Sequence, residues 1–346
     1  MQSEVNQWEA AKALTVAGAD IYHPSAETYW KGVLSHNLAE NATYREAAII
    51  GKEFRKFSDT LKNLKKKSRV AFVLNNDALS GLKWFPISQN LSYNDIFRWI
   101  FDACYRLNVE CDILSSEDTC FSDYDLLIVP ALYSASEEVL RRLDSYVKNG
   151  GHMLITFKSG FSDENLKVYS DNQPHLLTEC TGMTYDRFTI PANVSLTGTT
   201  LGSLAENATV SEWIELLEPS TASVWCNYQH PHYSEYSAVT HNKYGKGSCT
   251  YLGCYFDSTF LETVLRRLFT EIEIELPSFS FPVILKQGIN EKGELIKYYF
   301  NYSDNTETIT YTGNDGKLLF TDMPIHSGND LKIEGWDLQI VVTKNE

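Results

Sequence analysis

The hydrophobic positions change period three times along the chain. Trp8, Ala11, Leu14 and Ala17 recur at helical spacing, and Gly18 follows the last of them, so a helix is expected over residues 5–17. Ala47, Ile50, Phe54, Phe57 and Leu61 keep a 3.6-residue period and predict a longer helix over 43–64, with Asn41 as its N-cap. Lys65, Lys66 and Lys67 then read as a solvated helix end and linker.

From Arg69 the texture becomes alternating. Val70–Leu74 is a continuous apolar run of the kind that forms a buried parallel strand. Further strands are expected at 109–114, 125–130 and 152–157, with amphipathic helices at 92–107 and 136–148 between them. Strand and helix in alternation predict an α/β fold with a parallel sheet covered on both faces. Residues 181–256 are richer in strands. Segments 236–241 and 248–252 flank Asn242–Gly247 as a hairpin, and a helix is expected over 257–270. After Pro277 and Pro282 the pattern is all-β, with strands at 294–302, 307–312, 317–320 and 338–343. This tail is close to the lower size limit for folding alone. Three regions follow: 1–67 mostly helical, 68–276 α/β, and 277–346 β.

Composition narrows the function classes. The net charge of −15 argues against a nucleic-acid partner, which needs clustered Lys and Arg. It suits a cytoplasmic protein. No apolar run is long enough to span a membrane, and the N-terminus lacks the features of a signal peptide. The N-x-S/T sequons beginning at Asn41, Asn90, Asn193, Asn207 and Asn301 are then read as chance. The seven cysteines contain no CxxC pair, so neither a disulfide framework nor a zinc knuckle is signalled, and most are expected to be buried.

Candidate chemistry is sparse. The segment after the first strand, Asn75–Ser80, is neither GxGxxG nor a P-loop, so a phosphate cradle has little support. The turn after the fourth strand reads Lys158-Ser159-Gly160 and carries no cysteine nucleophile; Ser159 reads as a turn residue. His230 and His232 have the spacing of two metal ligands without an evident third and read as a surface loop. Asp112, Glu117, Asp118 and Asp125 lack the order of a calcium loop. No metal and no cofactor are expected. The densest chemistry lies in Glu27-Thr-Tyr-Trp-Lys-Gly-Val-Leu-Ser-His36, where a carboxylate and aromatic rings suit the wall of a sugar site and equally suit a helix start with Tyr29 and Trp30 in a core.

These pieces, in this order, resemble glycoside hydrolase family 42, the bacterial β-galactosidases. The segment Glu27–His36 is similar to the family's last barrel strand and helix. Tyr124–Tyr133, Gly150–Gly160 and Tyr244–Gly253 look like its middle, trimerisation domain, and the tail from Val283 is similar to its C-terminal β domain. The resemblance implies a remnant of a (β/α)8 barrel, then an amidotransferase-like (flavodoxin-like) parallel-sheet domain, then a small β-sandwich. It implies a retaining hydrolase of terminal β-galactosides that uses two glutamates. Gln2–Trp8 resembles the residues just after the family's nucleophile, so neither catalytic glutamate has a counterpart here and no catalytic residue is assigned. Between Asp20 and Glu27 the run Ile21–Ala26 is shorter than the family's aromatic-rich strand. By resemblance, Glu27 contacts galactose hydroxyls, Trp8 stacks on the sugar, and Trp30 stands where many members have a histidine. A homotrimer is implied, with a galactoside as ligand if the site is completed. Two readings stay open: a β-galactosidase-family chain represented by its non-catalytic part, and a stand-alone oligomerisation or carbohydrate-binding module. In either, the 1–67 helices are expected to pack on the α/β domain.

Overall fold

A computed structural model describes residues 39–66, 68–201 and 208–344, together with Leu34. The expected 5–17 helix and the candidate sugar-site residues Trp8, Glu27 and Trp30 lie outside the described residues. The chain divides into two compact units, one formed by 68–278 and the other joining the N-terminal segment to 279–346.

In the first unit an eight-stranded sheet is built around five parallel strands. These are β1 (Val70–Leu74), β2 (Cys111–Ser115), β3 (Leu126–Val129), β4 (His152–Thr156) and, later in the chain, β9 (Gly247–Leu252). Between β4 and β9 in sequence lie β5 (Ser195–Gly198), β6 (Val210–Glu215), β7 (Ser223–Gln229) and β8 (Ser237–Tyr244). The sheet order is β2-β1-β3-β4-β9-β8-β7-β5, with β8, β7 and β5 extending it in antiparallel fashion. β6 belongs to a separate small antiparallel sheet with 254–256 and 188–189.

β1, β3 and β4 are buried on both faces, as continuous apolar runs require, whereas β2 at the sheet edge leaves Ile113 exposed. Val70, Phe72, Leu126, Ile128 and Leu154 point into one core with Ile96, Ile100 and Leu265. Ala71, Val73, Leu127, Val129, Met153 and Ile155 point into the other with Leu140, Leu143 and Val147. The strand period of two thus sorts neighbours into separate cores. Three of the covering helices are those the periodicity predicts: α3 (Tyr93–Arg106), α4 (Glu137–Lys148) and α5 (Ser258–Glu271). Ser92 and Asp95 form a capping box at the start of α3, and Asp257 caps α5.

Local detail goes beyond the sequence reading at three places. The Asn75–Ser80 segment, unassigned from the sequence, is the start of a helix, α2 (Asn76–Trp84), which Asn75 caps by accepting the Ala78 N–H at 2.6 Å. The 242–247 hairpin loop is tighter than its composition suggests: β8 and β9 pair up to Tyr244 and Gly247, leaving Gly245-Lys246 as the turn. Gly245 adopts φ +59°, the conformation that such turns require of glycine. The basic run is not simply a solvated linker, since Lys65 exchanges backbone hydrogen bonds with Ile289 at 2.8 and 2.9 Å.

The second unit contains helix α1 (Ala42–Leu61), capped by Asn41, whose side chain accepts the Tyr44 N–H. Its partners lie in the C-terminal region: Phe57 meets Phe320 edge to face at 5.6 Å, and the Asn290 amide donates to the Thr60 carbonyl. This helix therefore belongs with the β domain in one compact unit. There β10 (Val283–Ile289), β11 (Glu294–Asn301), β13 (Gly316–Leu318), β14 (Pro324–Ile325) and β16 (Leu338–Lys344) form a five-stranded sheet. A ribbon of β12 (Glu307–Thr310) and β15 (Asp330–Ile333) completes the unit. Ile309, Leu331 and Ile333 of the ribbon share a core with Val283, Tyr299 and Val341 of the sheet.

Candidate functional site

In an open parallel sheet, ligands are taken at the carboxyl ends of the strands, where the strand order reverses. Here the reversal falls between β1 and β3. The groups at that edge are engaged in structure. Besides capping α2, Asn75 donates its backbone N–H to Tyr93 Oη and its side-chain amide to Ser116 Oγ at 2.8 Å. Ser159 is buried, and its hydroxyl accepts the Leu132 N–H at 3.0 Å. It serves as a structural hydroxyl.

The unusual residue at this edge is Lys158. It follows β4 closely and sits in the left-handed region at φ +61°. Its Nζ lies 3.6 Å from the Phe161 ring centroid, 4.0 Å from that of Phe188, 4.8 Å from Trp213 and 5.8 Å from Tyr133. Four aromatic faces therefore surround one ammonium. Burial pulls its pKa down to about 8, against the opposing pull of the Glu215 charge.

Glu215, at the end of β6, is fully buried. Its Oε1 accepts the Lys158 backbone N–H at 2.7 Å and the Trp213 indole N–H at 3.4 Å, and its Oε2 accepts the Tyr251 hydroxyl at 2.7 Å. Burial raises its pKa, and these donors work against the rise. A carboxylate sealed in this way is an anchor for the turn, not an exposed acid or nucleophile. The sequence reading missed both groups. Ser-Glu-Trp-Ile-Glu in β6 gives no sign of which carboxylate points inward, and no spacing links Lys158 to Glu215.

A sizeable cleft of the unit runs along α4 from the amino edge of the sheet. It has a volume of about 940 Å³ and runs between α4 and the 118–125 segment. Arg69, Asp125 and His152, at the entries to β1, β3 and β4, form its inner end. Phe121, Tyr124 and Tyr146 give it an aromatic surface, and Glu138, Arg141 and Arg142 line it from α4. Most of its charges are matched locally. Arg69 pairs with Asp125, Arg141 with Glu137, and Arg142 holds the carbonyls of Ser116, Glu117 and Asp118.

The acidic neighbourhood seen in the sequence dissolves into these separate pairings, with Asp112 taking the Tyr124 hydroxyl and Asp118 the Ser115 N–H. The His230 and His232 rings are 5.6 Å apart, and the His232 backbone N–H donates to His230 Nδ1. Among the described residues no group of three or more His, Cys, Asp or Glu is placed to hold a metal. All seven cysteines are free thiols, five of them buried. No helix among the described residues is long and apolar enough to cross a membrane.

Comparison with known proteins matches the first unit closely. Residues 68–275 fit the family of the β-galactosidase trimerisation domain. β-Galactosidase BgaA of Clostridium cellulovorans is 27% identical over 320 residues, which cover 91% of this chain and 47% of that protein. β-Galactosidase LacZ of Lactobacillus acidophilus is 26% identical over 321 residues, again 91% of this chain and 47% of that protein. A crystal structure of β-galactosidase from Bacillus circulans sp. alkalophilus superposes with a TM-score of 0.84 at 22% identity, covering 93% of this chain and 48% of that one. The chain thus spans about half the length of the relatives it matches, and it corresponds to their C-terminal part. With residues 68–275, more than half of the chain, matched to that domain, the chain belongs to glycoside hydrolase family 42, the β-galactosidases.

Proposed function

We propose that this chain serves a β-galactoside hydrolase as its non-catalytic part, assembling copies into a trimer through the 68–275 unit. The observation that carries this reading is the match of that whole unit to a trimerisation domain. Glycoside hydrolysis by retention needs two carboxyl groups about 5 Å apart around the glycosidic bond. Glu215, a fully buried carboxylate whose pKa burial raises, is instead locked among three donors. The chain on its own is therefore expected to be inactive. The unit is also read as amidotransferase-like; its strand order and the left-handed residue just after β4 support this. The acidic composition favours a cytoplasmic setting.

Light scattering of the purified chain tests the assembly reading: three copies per particle support it, and a monomer at micromolar concentration overturns it. A second reading rests on the segment 27–36. Once the remaining walls of a sugar site are supplied, Glu27, Trp8 and Trp30 would contact a galactoside. Turnover of a chromogenic β-galactoside by this chain, abolished by Glu27→Gln, would favour that reading over the non-catalytic one.

A further inference from the structure

Two of the thiols meet at the end of α3. The helix stops in a Schellman turn: the Val109 N–H donates to the Cys104 carbonyl at 2.9 Å, and the Asn108 N–H to the Tyr105 carbonyl at 3.1 Å. Asn108 takes the left-handed conformation that this ending requires, at φ +61°. Cys111 follows closely and begins β2. Val109 lies in the core that holds Cys104, and Cys111 packs against the same core, as alternate residues of an extended segment do. The Cys111 S–H donates to the Val109 carbonyl at 3.6 Å, and the Cys104 and Cys111 side chains hydrogen-bond to each other. The helix ending thus brings the two sulfurs into contact.

The two thiols differ in access. Cys104 is wholly buried, whereas Cys111 is half-buried and starts the outermost strand of the eight-stranded sheet. A dissolved oxidant therefore meets Cys111 first, with Cys104 behind it. Contact with Cys111, followed by burial, holds the Cys104 pKa well above its ordinary value, so Cys104 keeps its proton until it reacts. A second pair gives the contrast. Cys180 and Cys249 also hydrogen-bond to each other. Asn242, opposite Cys249 in the β8–β9 ladder, donates its amide to the Cys180 carbonyl at 3.0 Å. Both members of this pair are buried, so neither faces solvent.

We propose that Cys104 and Cys111 form a peroxide-responsive dithiol, which closes into an intrachain disulfide between α3 and β2. The Cys111 sulfur attacks one oxygen of a hydroperoxide, the O–O bond breaks, and the leaving alkoxide or hydroxide takes the thiol proton. Cys111 is then a sulfenic acid. The Cys104 sulfur attacks the Cys111 sulfur, the S–O bond breaks, and hydroxide leaves as water with the Cys104 proton. The thiols lose the two electrons that the peroxide gains. Contact makes the second step intramolecular, so it outruns further oxidation of Cys111. A thiol reductant reverses the bond. Cys180 and Cys249 stay reduced while the chain is folded.

The test exposes the full folded chain to hydrogen peroxide, blocks the remaining thiols and maps the peptides by mass spectrometry. The expected product is a link between Cys104 and Cys111, with two of the seven thiols lost and both regained on treatment with dithiothreitol. In Cys104→Ala, Cys111 is expected to form sulfenic acid, trapped by dimedone, and then sulfinic acid that the reductant does not reverse. In Cys111→Ala, Cys104 is expected to stay reduced. Wild-type Cys111 that reaches sulfinic acid while Cys104 stays a thiol overturns the proposal. So does a link from Cys111 to Cys120 or to another chain, an equal loss of Cys180 and Cys249, or no loss of thiols. The wild-type map decides without relying on the stability of either variant.

Discussion

The backbone N–H of Lys158 donates to Oε1 of Glu215 at 2.7 Å, and the carboxylate that accepts it is fully buried. The two residues are linked through the main chain of one and the side chain of the other. The Lys158 ammonium turns away into four aromatic rings. A left-handed turn is thus held from both sides: a buried anion binds its amide, and an aromatic enclosure holds its cation. A non-glycine residue at φ +61° costs about 1 kcal/mol or more, which these contacts offset.

The ammonium titrates early. Its pKa falls from 10.5 to about 8 on folding, because burial penalises the charged form. Below pH 8 both folded and unfolded chains carry the proton, and the penalty is present in full. Between pH 8 and 10.5 the unfolded chain binds more protons than the folded one, so stability rises with pH across that window. In Lys158→Met this rise is absent. Denaturant unfolding at a series of pH values is expected to show wild type gaining on the variant by about 3 kcal/mol from pH 7 to 10.5. A constant difference between the two would refute the assignment.

Glu215 gives the opposite slope. Burial raises its folded pKa above the ordinary 4.5, so between 4.5 and the raised value the folded chain holds the extra proton. Stability is lost as pH rises through that window. Glu215→Gln cannot ionise and escapes this loss, so its stability relative to wild type is expected to improve as pH rises from 4 to 7. Glu215→Leu leaves the Tyr251 hydroxyl and the Lys158 N–H without an acceptor, at a cost of about 1–3 kcal/mol each. Thermal melts of both variants at pH 4 and 7 read the two effects separately.

Periodicity made the α/β scaffold legible. The apolar runs at 70–74 and 126–129 marked buried strands, and α3, α4 and α5 lie within two residues of their expected ends. Helix α2 escaped because it is short and its Asn76, Asp77 and Gly81 weaken both propensity and amphipathic signal. The partner of α1 escaped for a different reason: an apolar stripe at Ile50, Phe57 and Leu61 says that a face is buried, not against what. The site residues divide likewise. Family resemblance offered Glu27 and Trp30 from the 27–36 motif and Trp8 from the 2–8 segment as sugar-contact candidates, all outside the described residues. Lys158 and Glu215 are brought together across 57 positions, which no local pattern encodes.

Asn75 carries three roles that a single substitution can separate. Its side-chain oxygen caps α2, its amide nitrogen holds Ser116, and its backbone meets Tyr93. Asn75→Asp keeps the cap and loses the donor to Ser116, whereas Asn75→Ala loses both. The alanine variant is expected to be less stable than wild type by about 1–2 kcal/mol, with the aspartate variant in between. The order of the three melting temperatures checks this. Equal melting temperatures for the alanine and aspartate variants would mean that the cap contributes nothing.

Gly245 tests the hairpin that corrected the sequence expectation. At φ +59° it supplies the left-handed conformation of the turn, and a Cβ there would stand 2.4 Å from the Lys148 carbonyl oxygen, which is backbone and cannot swing aside. The same carbonyl accepts the Lys246 N–H at 3.1 Å, tying the turn to the end of α4. Gly245→Ala therefore meets both torsional strain and a clash, and is expected to cost more than about 1 kcal/mol. Asparagine tolerates left-handed torsions better than alanine but meets the same carbonyl. If the close approach dominates, Gly245→Asn destabilises as much as Gly245→Ala in denaturant unfolding. If torsion alone matters, the asparagine variant recovers most of the loss.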